Sequence, residues 1–385
     1  MPLFSPITFA LPKVPKRQVM RSLDNYDKDE ILALKKTEDN FINVIHPQDT
    51  RSRDSNLVRK MWVKFLHNEW YIKSSKPSFF YYKICSPEFQ TIGFLGGVCT
   101  SDIQSNTITK HEKTYPSRVD HMTEYIKTVQ IQAEPVMMIH ETPVPQEIKS
   151  SEIEKNKCFS DFEFEGIRHQ LWHLTFRQSK VLENWAKKQS HFHLADGHHR
   201  IQCMVNLSQE IQKPLFPLSY LVHQSQIKLH SFVWYSNAIF SEDTFLKLEQ
   251  IFIKQGGLAL TEVKVSTNQY PLVIQIRHLW FGFTKEAIKS ENIPDFITHY
   301  LLSSFSELQS ELNYKPNKSN SCTKMSSKNQ LAFYMKPFSK SYLFNFAKKQ
   351  KVLPAKSTFI LPKLLSGMVV SPFIDIQKKR SFEWY

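Results

Sequence analysis

The sequence has no apolar run close to the roughly 20 residues that a membrane-spanning helix requires, which predicts a soluble protein. A secretory leader is not expected either: Pro2, Pro6, Pro12 and Pro15 interrupt the apolar positions of residues 1–20, and no small-residue cleavage pattern follows. Cys-x-x-Cys pairs are missing. Cys85, Cys99, Cys158, Cys203 and Cys322 are odd in number and widely spaced, which excludes a disulfide scaffold or a four-cysteine zinc site and fits reduced thiols in the cytoplasm. Acidic residues are in deficit. The 36 Asp and Glu against 50 Lys and Arg leave a formal charge of +14, which draws the protein towards anions such as nucleotides, nucleic acids or acidic surfaces. The basic residues form no continuous stripe with interleaved aromatics, so nucleic acid is the minority reading, and nucleotide binding is expected to exceed sequence-independent DNA binding at physiological salt. Internal repeats are absent too.

A length of 385 residues favours two lobes, or one large α/β body with an appended half. The helical spacing of Leu57, Val58, Met61, Trp62, Phe65 and Leu66 predicts a helix over about 55–68. A hairpin follows at 79–85 and 91–99, where Gly93, Gly96 and Gly97 imply either a bulge or a close backbone approach. Val119, Met122, Ile126 and Val129 mark another helix, with His111–Thr114 on the loop that enters it. A second hairpin is read over 159–176 around Glu165-Gly166, then a helix carrying Val181, Leu182 and Trp185. Residues 191–195 read as a strand, Asp196-Gly197 as a turn and 201–212 as a helix. Extended stretches at 216–223 and 229–235 precede a helix from Ser241 to Gly256-Gly257. A strand over 272–283 and a helix over 294–312 complete a C-terminal lobe, and the Lys, Ser and Asn-rich stretch 315–330 reads as an exposed loop. The fold class expected is α/β or α+β with a mixed-sheet core. The expected domains are a motif-bearing core over 1–240 and a C-terminal α+β lobe over 241–385.

Two segments can carry chemistry. In Asp196-Gly197-His198-His199-Arg200, the carboxylate can cap a helix or hold a metal ion, and the glycine lets a ligand approach the backbone. The arginine fork suits phosphate oxygens, and the histidines supply proton transfer or ligation near neutral pH. The same turn can equally be structural, with Asp196 an N-cap and the histidines on the surface. A zinc reading through His191, His193, His198, His199 and Asp196 is also open, although the spacing fixes no tetrahedral set. The other segment, His111-Glu112-Lys113-Thr114 with Arg118 a turn later, sets an acid/base group, a carboxylate, a cation and a hydroxyl in a row. A solvated loop, with Glu112 paired to Lys110 or Lys113, is the plain alternative.

The ordered motifs Lys110–Thr114, Ala133-Glu134-Pro135-Val136 and Ala195–Arg200 resemble the signatures of the DUF1015 family, whose activity is not settled. Ser22–Asp27 is similar to its Pro-Tyr-Asp segment, Asn40–Pro47 to the strand that follows, and Pro354–Lys363 with Ser366-Gly367 to its ending. Asn25 replaces the family's usual Pro, and Gln48 stands where many members carry Glu. The region 229–235 lacks the expected Pro and Arg. The Asp-Gly-His-His-Arg element also resembles the loop of ParB/sulfiredoxin-like proteins, among them kinases of free serine. That resemblance implies an α/β core in which the loop grips nucleotide phosphates.

Together these readings point to a Mg²⁺- and nucleotide-dependent phosphotransferase acting on a small hydroxyl compound, with ADP or ATP as donor and serine the first acceptor to test. Asp196 would hold Mg²⁺ or orient the acceptor. Gly197, His198, His199 and Arg200, with Lys113, Thr114 and Arg118, would contact phosphates, and Glu112 or His111 would act as base. The two motifs are expected to line one cleft. Other classes stay open: a non-catalytic nucleotide- or nucleic-acid-binding module, and a metal-dependent phosphatase or nuclease.

Overall fold

The computed structural model describes residues 1–47, 54–236, 238, 241–261, 266–288, 292–317, 322 and 331–372. The chain divides into two compact units. The first comprises Met1–Lys110, Thr114–Ile227 and the segment from Pro362, and the second comprises His111–Lys113 and Lys228–Leu361.

The first unit is built on a nine-stranded mixed sheet. In chain order its strands are β1 (Phe4–Ser5), β2 (Phe80–Cys85), β3 (Gln90–Val98), β4 (Ile108–Thr109), β5 (Val136–His140), β6 (Ser160–Phe164), β7 (Ile167–His173), β8 (Phe192–Asp196) and β9 (Leu218–His223). Their spatial order is β4-β8-β5-β9-β3-β2-β7-β6, with β1 added against β3. The pairs β4/β8 and β5/β9 are parallel and the others antiparallel. The helices of eight or more residues in this unit are α1 (Lys28–Lys35), α2 (Ser55–His67), α3 (Pro116–Val129), α4 (Phe176–Ala186) and α5 (His198–Glu210). Apolar periodicity makes these helices amphipathic, and the capping residues fix where several begin. Asp54 accepts from Asn56 and Leu57 at the head of α2, and a capping box of Thr175 and Gln178 opens α4. Val119 and Ile126 of α3 bury against Cys203, Met204 and Leu207 of α5. The larger core gathers Tyr81, Phe94, Trp172, Leu182, Trp185 and Ile201 between sheet and helices.

The glycines of β3 serve close packing. A Cβ on Gly93 would lie 2.5 Å from the Leu221 carbonyl oxygen, and one on Gly96 would lie 2.7 Å from the Phe79 ring. Backbone and aromatic ring therefore occupy the space that a larger residue would need.

The second unit holds a seven-stranded antiparallel sheet. Its strands are β10 (Lys228–Ser236), β11 (Leu258–Leu260), β12 (Leu272–Ile276), β13 (Leu279–Phe283), β14 (Asn313–Asn317), β15 (Leu331–Met335) and β16 (Phe359–Leu361). Helices α6 (Glu242–Lys254) and α7 (Lys340–Lys348) accompany it. Phe245, Leu248 and Phe252 of α6 pack with Ile274, Phe281 and Phe333 of the sheet.

Several expectations shift. The boundary expected at 240/241 is displaced, because β10 bonds to β14, β15 and β16 and so belongs to the second sheet. At the other end, residues from 362 rejoin the first unit, where Ser366 bonds with Met20 and Val370 with Ala10. The stretch 272–283, read as one strand, is a hairpin turning at Arg277. The expected helix at 294–312 is three short pieces, Ile293–Phe296, a π-type turn at Ile297–Leu301 and Ser306–Ser310. Of the expected loop 315–330, residues 315–317 close strand β14; apart from Cys322, the remainder lies outside the described residues. All five cysteines are free thiols, and no described helix is long and apolar enough to cross a membrane. Replacing Gly96 by Val should destabilise the protein by about 1–3 kcal/mol, seen as a lower urea midpoint at unchanged m-value.

Candidate functional site

The strand β8 ends on an irregularity that aims Asp196. Leu194 pairs with Met138 and Asp196 with Met137, so the ladder skips Ala195. The next residue, Gly197, has φ of 91°, a left-handed conformation that favours glycine, and a Cβ there would lie 2.7 Å from Val136. Helix α5 begins directly at His198, three residues before the start expected from periodicity. His198, His199 and Arg200 are therefore its first turn. Gly197 is the N-cap residue and no side chain caps the helix, which corrects the reading of Asp196 as cap.

The Asp196 carboxylate instead joins a charge network. Its Oδ2 accepts from Arg200 Nη2 at 2.9 Å, and its Oδ1 accepts from Lys363 Nζ at 2.7 Å. Arg200 Nη1 donates to the carbonyls of Glu134 and Pro135 at 3.0 and 2.9 Å and lies 3.3 Å from Glu134 Oε2. Ser366 donates its hydroxyl to Glu134 Oε1. Two carboxylates thus face two cations. Burial opposes ionisation of Asp196, but the Lys363 ammonium and the Arg200 guanidinium outweigh it and hold the carboxyl well below the usual range. Arg200, expected as a phosphate fork, is committed to positioning Asp196 and the Glu134-Pro135 backbone.

The histidines divide. His198 is buried. His199 accepts at Nε2 from the Tyr115 backbone N–H at 3.0 Å and stacks on the Tyr115 ring, which brings the start of α3 beside the first turn of α5. Lys110 donates to Gln202 of the same helix at 3.0 Å, and burial lowers its pKa. Thr114 is half-buried, while Arg118 is on the surface with its Nη2 3.6 Å from Asp24. His193 is buried in β8 with both ring nitrogens engaged, Nδ1 by the Thr109 hydroxyl at 2.7 Å and Nε2 by Glu141 at 2.8 Å. This removes it from the zinc set, and no group of three or more His, Cys, Asp or Glu among the described residues is arranged to hold a metal ion.

His111–Lys113 belong to the second unit, strapped to Leu353 by Lys113 N–H to Leu353 C=O and Leu353 N–H to His111 C=O. His111 is buried, and its Nε2 lies 3.0 Å from the Thr358 hydroxyl. That hydroxyl donates towards Glu112 Oε2 at 3.5 Å. The three groups form a chain from buried imidazole through hydroxyl to half-buried carboxylate. Lys113 is exposed.

Sequence reasoning missed Lys363, Glu134 and Ser366 as partners of Asp196, and Thr358 as the link between His111 and Glu112. Their signal lay in the Ala133–Val136 and Pro354–Gly367 segments, which stand out as motifs but carry no chemistry by themselves. Gln48 lies outside the described residues.

Residues 4–264 match the family described as "Protein of unknown function (DUF1015)". Comparison with curated proteins gives no match. Among solved structures, a C-terminally truncated SbnI from Staphylococcus aureus is similar at 10% identity, with 74% of this chain and 90% of that chain covered and a TM-score of 0.46. A free serine kinase mutant in complex with ADP is similar at 10% identity, over 68% of this chain and 90% of that one, with a TM-score of 0.37. A conserved hypothetical protein from Pyrococcus furiosus shares 10% identity over 66% of this chain and 88% of its own, with a TM-score of 0.36.

The lowered Asp196 pKa has a stability consequence. A depressed carboxyl contributes stability that is complete above its unfolded value of about 3.9 and is lost as pH falls through the folded value. Asp196→Asn should therefore be less stable than wild type by about 1–2 kcal/mol at neutral pH, with the gap narrowing progressively as pH falls below about 4. A series of urea midpoints from neutral pH downwards checks this; a gap that does not narrow in acid would mean that the network does not depend on the carboxylate charge.

Proposed function

This chain belongs to the DUF1015 family, and on that premise we propose that it is a nucleotide-dependent phosphotransferase acting on a small hydroxyl compound, with serine the first candidate. The observation that carries this reading is the turn from β8 into α5. A 13-residue helix starts at a positive-φ glycine, with no side-chain cap and no acidic residue in its first turn. The positive end of the helix dipole lies at this turn and favours an anion there. Lys363 stands beside the turn on Asp196, and an ammonium on a flexible stem can pass from carboxylate to phosphate oxygen. His199 is held by Tyr115 in the tautomer that keeps the proton of the neutral ring on Nδ1.

Asp196 is a single carboxylate already balanced by two cations, and a donor set of this kind fits a magnesium ion carried in by the nucleotide, not a resident protein cage. Such an ion would neutralise charge on the transferred phosphoryl group, with Asp196 as its protein oxygen. Arg200 keeps that carboxylate in place. In the reaction the acceptor oxygen bonds to the terminal phosphorus, the bond to the bridging oxygen breaks, and the nucleotide leaves one phosphate shorter. The sequence motif offers Glu112 as the general base for the acceptor's proton, and within the second unit the buried His111 is linked to it through the Thr358 hydroxyl.

With nucleotide, Mg²⁺ and a panel of small hydroxy and amino acids, a phosphorylated product is expected by mass spectrometry. Lys363→Ala should weaken nucleotide binding about tenfold by titration calorimetry. Glu112→Gln should spare binding and lower the rate by about 10²–10⁴. Wild-type protein that binds nucleotide yet yields neither phosphorylated acceptor nor free phosphate would be a binding module instead.

A further inference from the structure

The first unit contains a cavity of about 270 Å³. Tyr81, Ile92, Phe94, Val144 and Ile148 give it apolar walls, Lys149, Ser150 and Ser151 a polar rim, and His140, His223 and Gln226 further polar groups. His140 and His223 pair in register as the last residues of the parallel strands β5 and β9. The Asp196 turn lies at the other end of the same strands. A Cβ on Gly197 would touch Val136, the first residue of β5, and His140 comes four residues later, about 13 Å along a strand.

The polar lining is one-sided. His140 is 2% exposed, and its Nδ1 lies 2.7 Å from the Thr142 carbonyl, so Nδ1–H donates there and Nε2 is left as an acceptor. The ring packs edge-on against Trp185 at 4.8 Å. Burial, aided by His223, lowers its pKa to about 4 against the pull of the Thr142 carbonyl, which keeps it neutral. Gln226 accepts from the Ile92 N–H at 2.6 Å through Oε1, which turns its amide into a donor group. Lys149 and the Ser151 hydroxyl add a cation and a donor, Ser150 being hydrogen-bonded to Tyr81, and no Asp or Glu is among the described residues that line the cavity.

We infer that this cavity is a separate binding site for a small carboxylate with an apolar body of about one ring, its charge met at the Lys149–Ser151 rim and a hydroxyl, where present, donated to His140. The volume is just below the range of about 300–1,000 Å³ usual for ligand pockets and suits one ring with a short acid arm. This inference does not rest on the phosphotransferase reading, since binding alone tests it and no residue of the Asp196 turn takes part.

Titration calorimetry of the full chain with phenylacetate, 4-hydroxyphenylacetate and the neutral phenylacetamide makes the test. Both acids should bind at about millimolar or tighter, the hydroxylated one more tightly, and the amide about tenfold more weakly than phenylacetate. Lys149→Ala, a change at an exposed position, should weaken the acids about tenfold and leave the amide unchanged. Val144→Trp, which fills the cavity, should abolish binding of all three, while nucleotide binding stays as in wild type. No binding by either acid up to about 10 mM, an amide that binds as well as the acid, or acid affinity indifferent to Lys149→Ala would each overturn the site.

Discussion

The guanidinium of Arg200 is the tie on which the candidate site depends. It reaches Asp196 at the end of β8, the backbone carbonyls of Glu134 and Pro135 before β5, and the Glu134 carboxylate, all from the first turn of α5. Lys363 and Ser366 close the network from a segment more than 160 residues away in sequence, the Lys363 to Asp196 separation being 167. Hydrogen bonds to charged groups contribute about 1.5–3 kcal/mol each where solvent is held off, and less where, as here, the side chains are a fifth to a third exposed. Geometry matters more than that sum. The network fixes the tight turn at Gly197 and so the direction in which the uncapped end of α5 faces.

Charge balance gives the turn its chemistry. Two carboxylates and two cations cancel, so the network itself does not repel an anion, and the helix N-terminus decides the sign of the local field. A carboxylate without Lys363 and Arg200 would resist an approaching phosphate. With them Asp196 stays ionised and yet locally neutralised, and Lys363 is the partner with the flexible stem.

Buried histidines elsewhere in the molecule are held by different means. His193 sits between a hydroxyl and a carboxylate, His111 against a hydroxyl that leads to Glu112, and His140 against a carbonyl and an indole edge. Each has its ring orientation set by hydrogen bonding at one or both ring nitrogens, which is how a buried imidazole gains a defined tautomer. In the first unit, β5 runs from the Asp196 turn, beside its first residue, to the His140 cavity at its last.

The amino-acid order by itself determined what local physics controls. The apolar spacing of Val58, Trp62 and Phe65 marked α2, that of Val119 and Ile126 marked α3, and Asp196-Gly197 marked a turn beside a helix N-terminus, because periodicity and glycine's access to positive φ act over a few residues. Tertiary structure decided what needs partners distant in sequence. It assigned β10 to the second sheet through its ladder, broke the expected helix at 294–312, and made Arg200 a brace by bringing Glu134, Pro135 and Lys363 to the same turn. Likewise, no spacing rule links Glu112 to Thr358 or His140 to Lys149. Hydrogen bonds and cavities join side chains by distance in space, and that distance is set only when the strands and helices carrying them have packed.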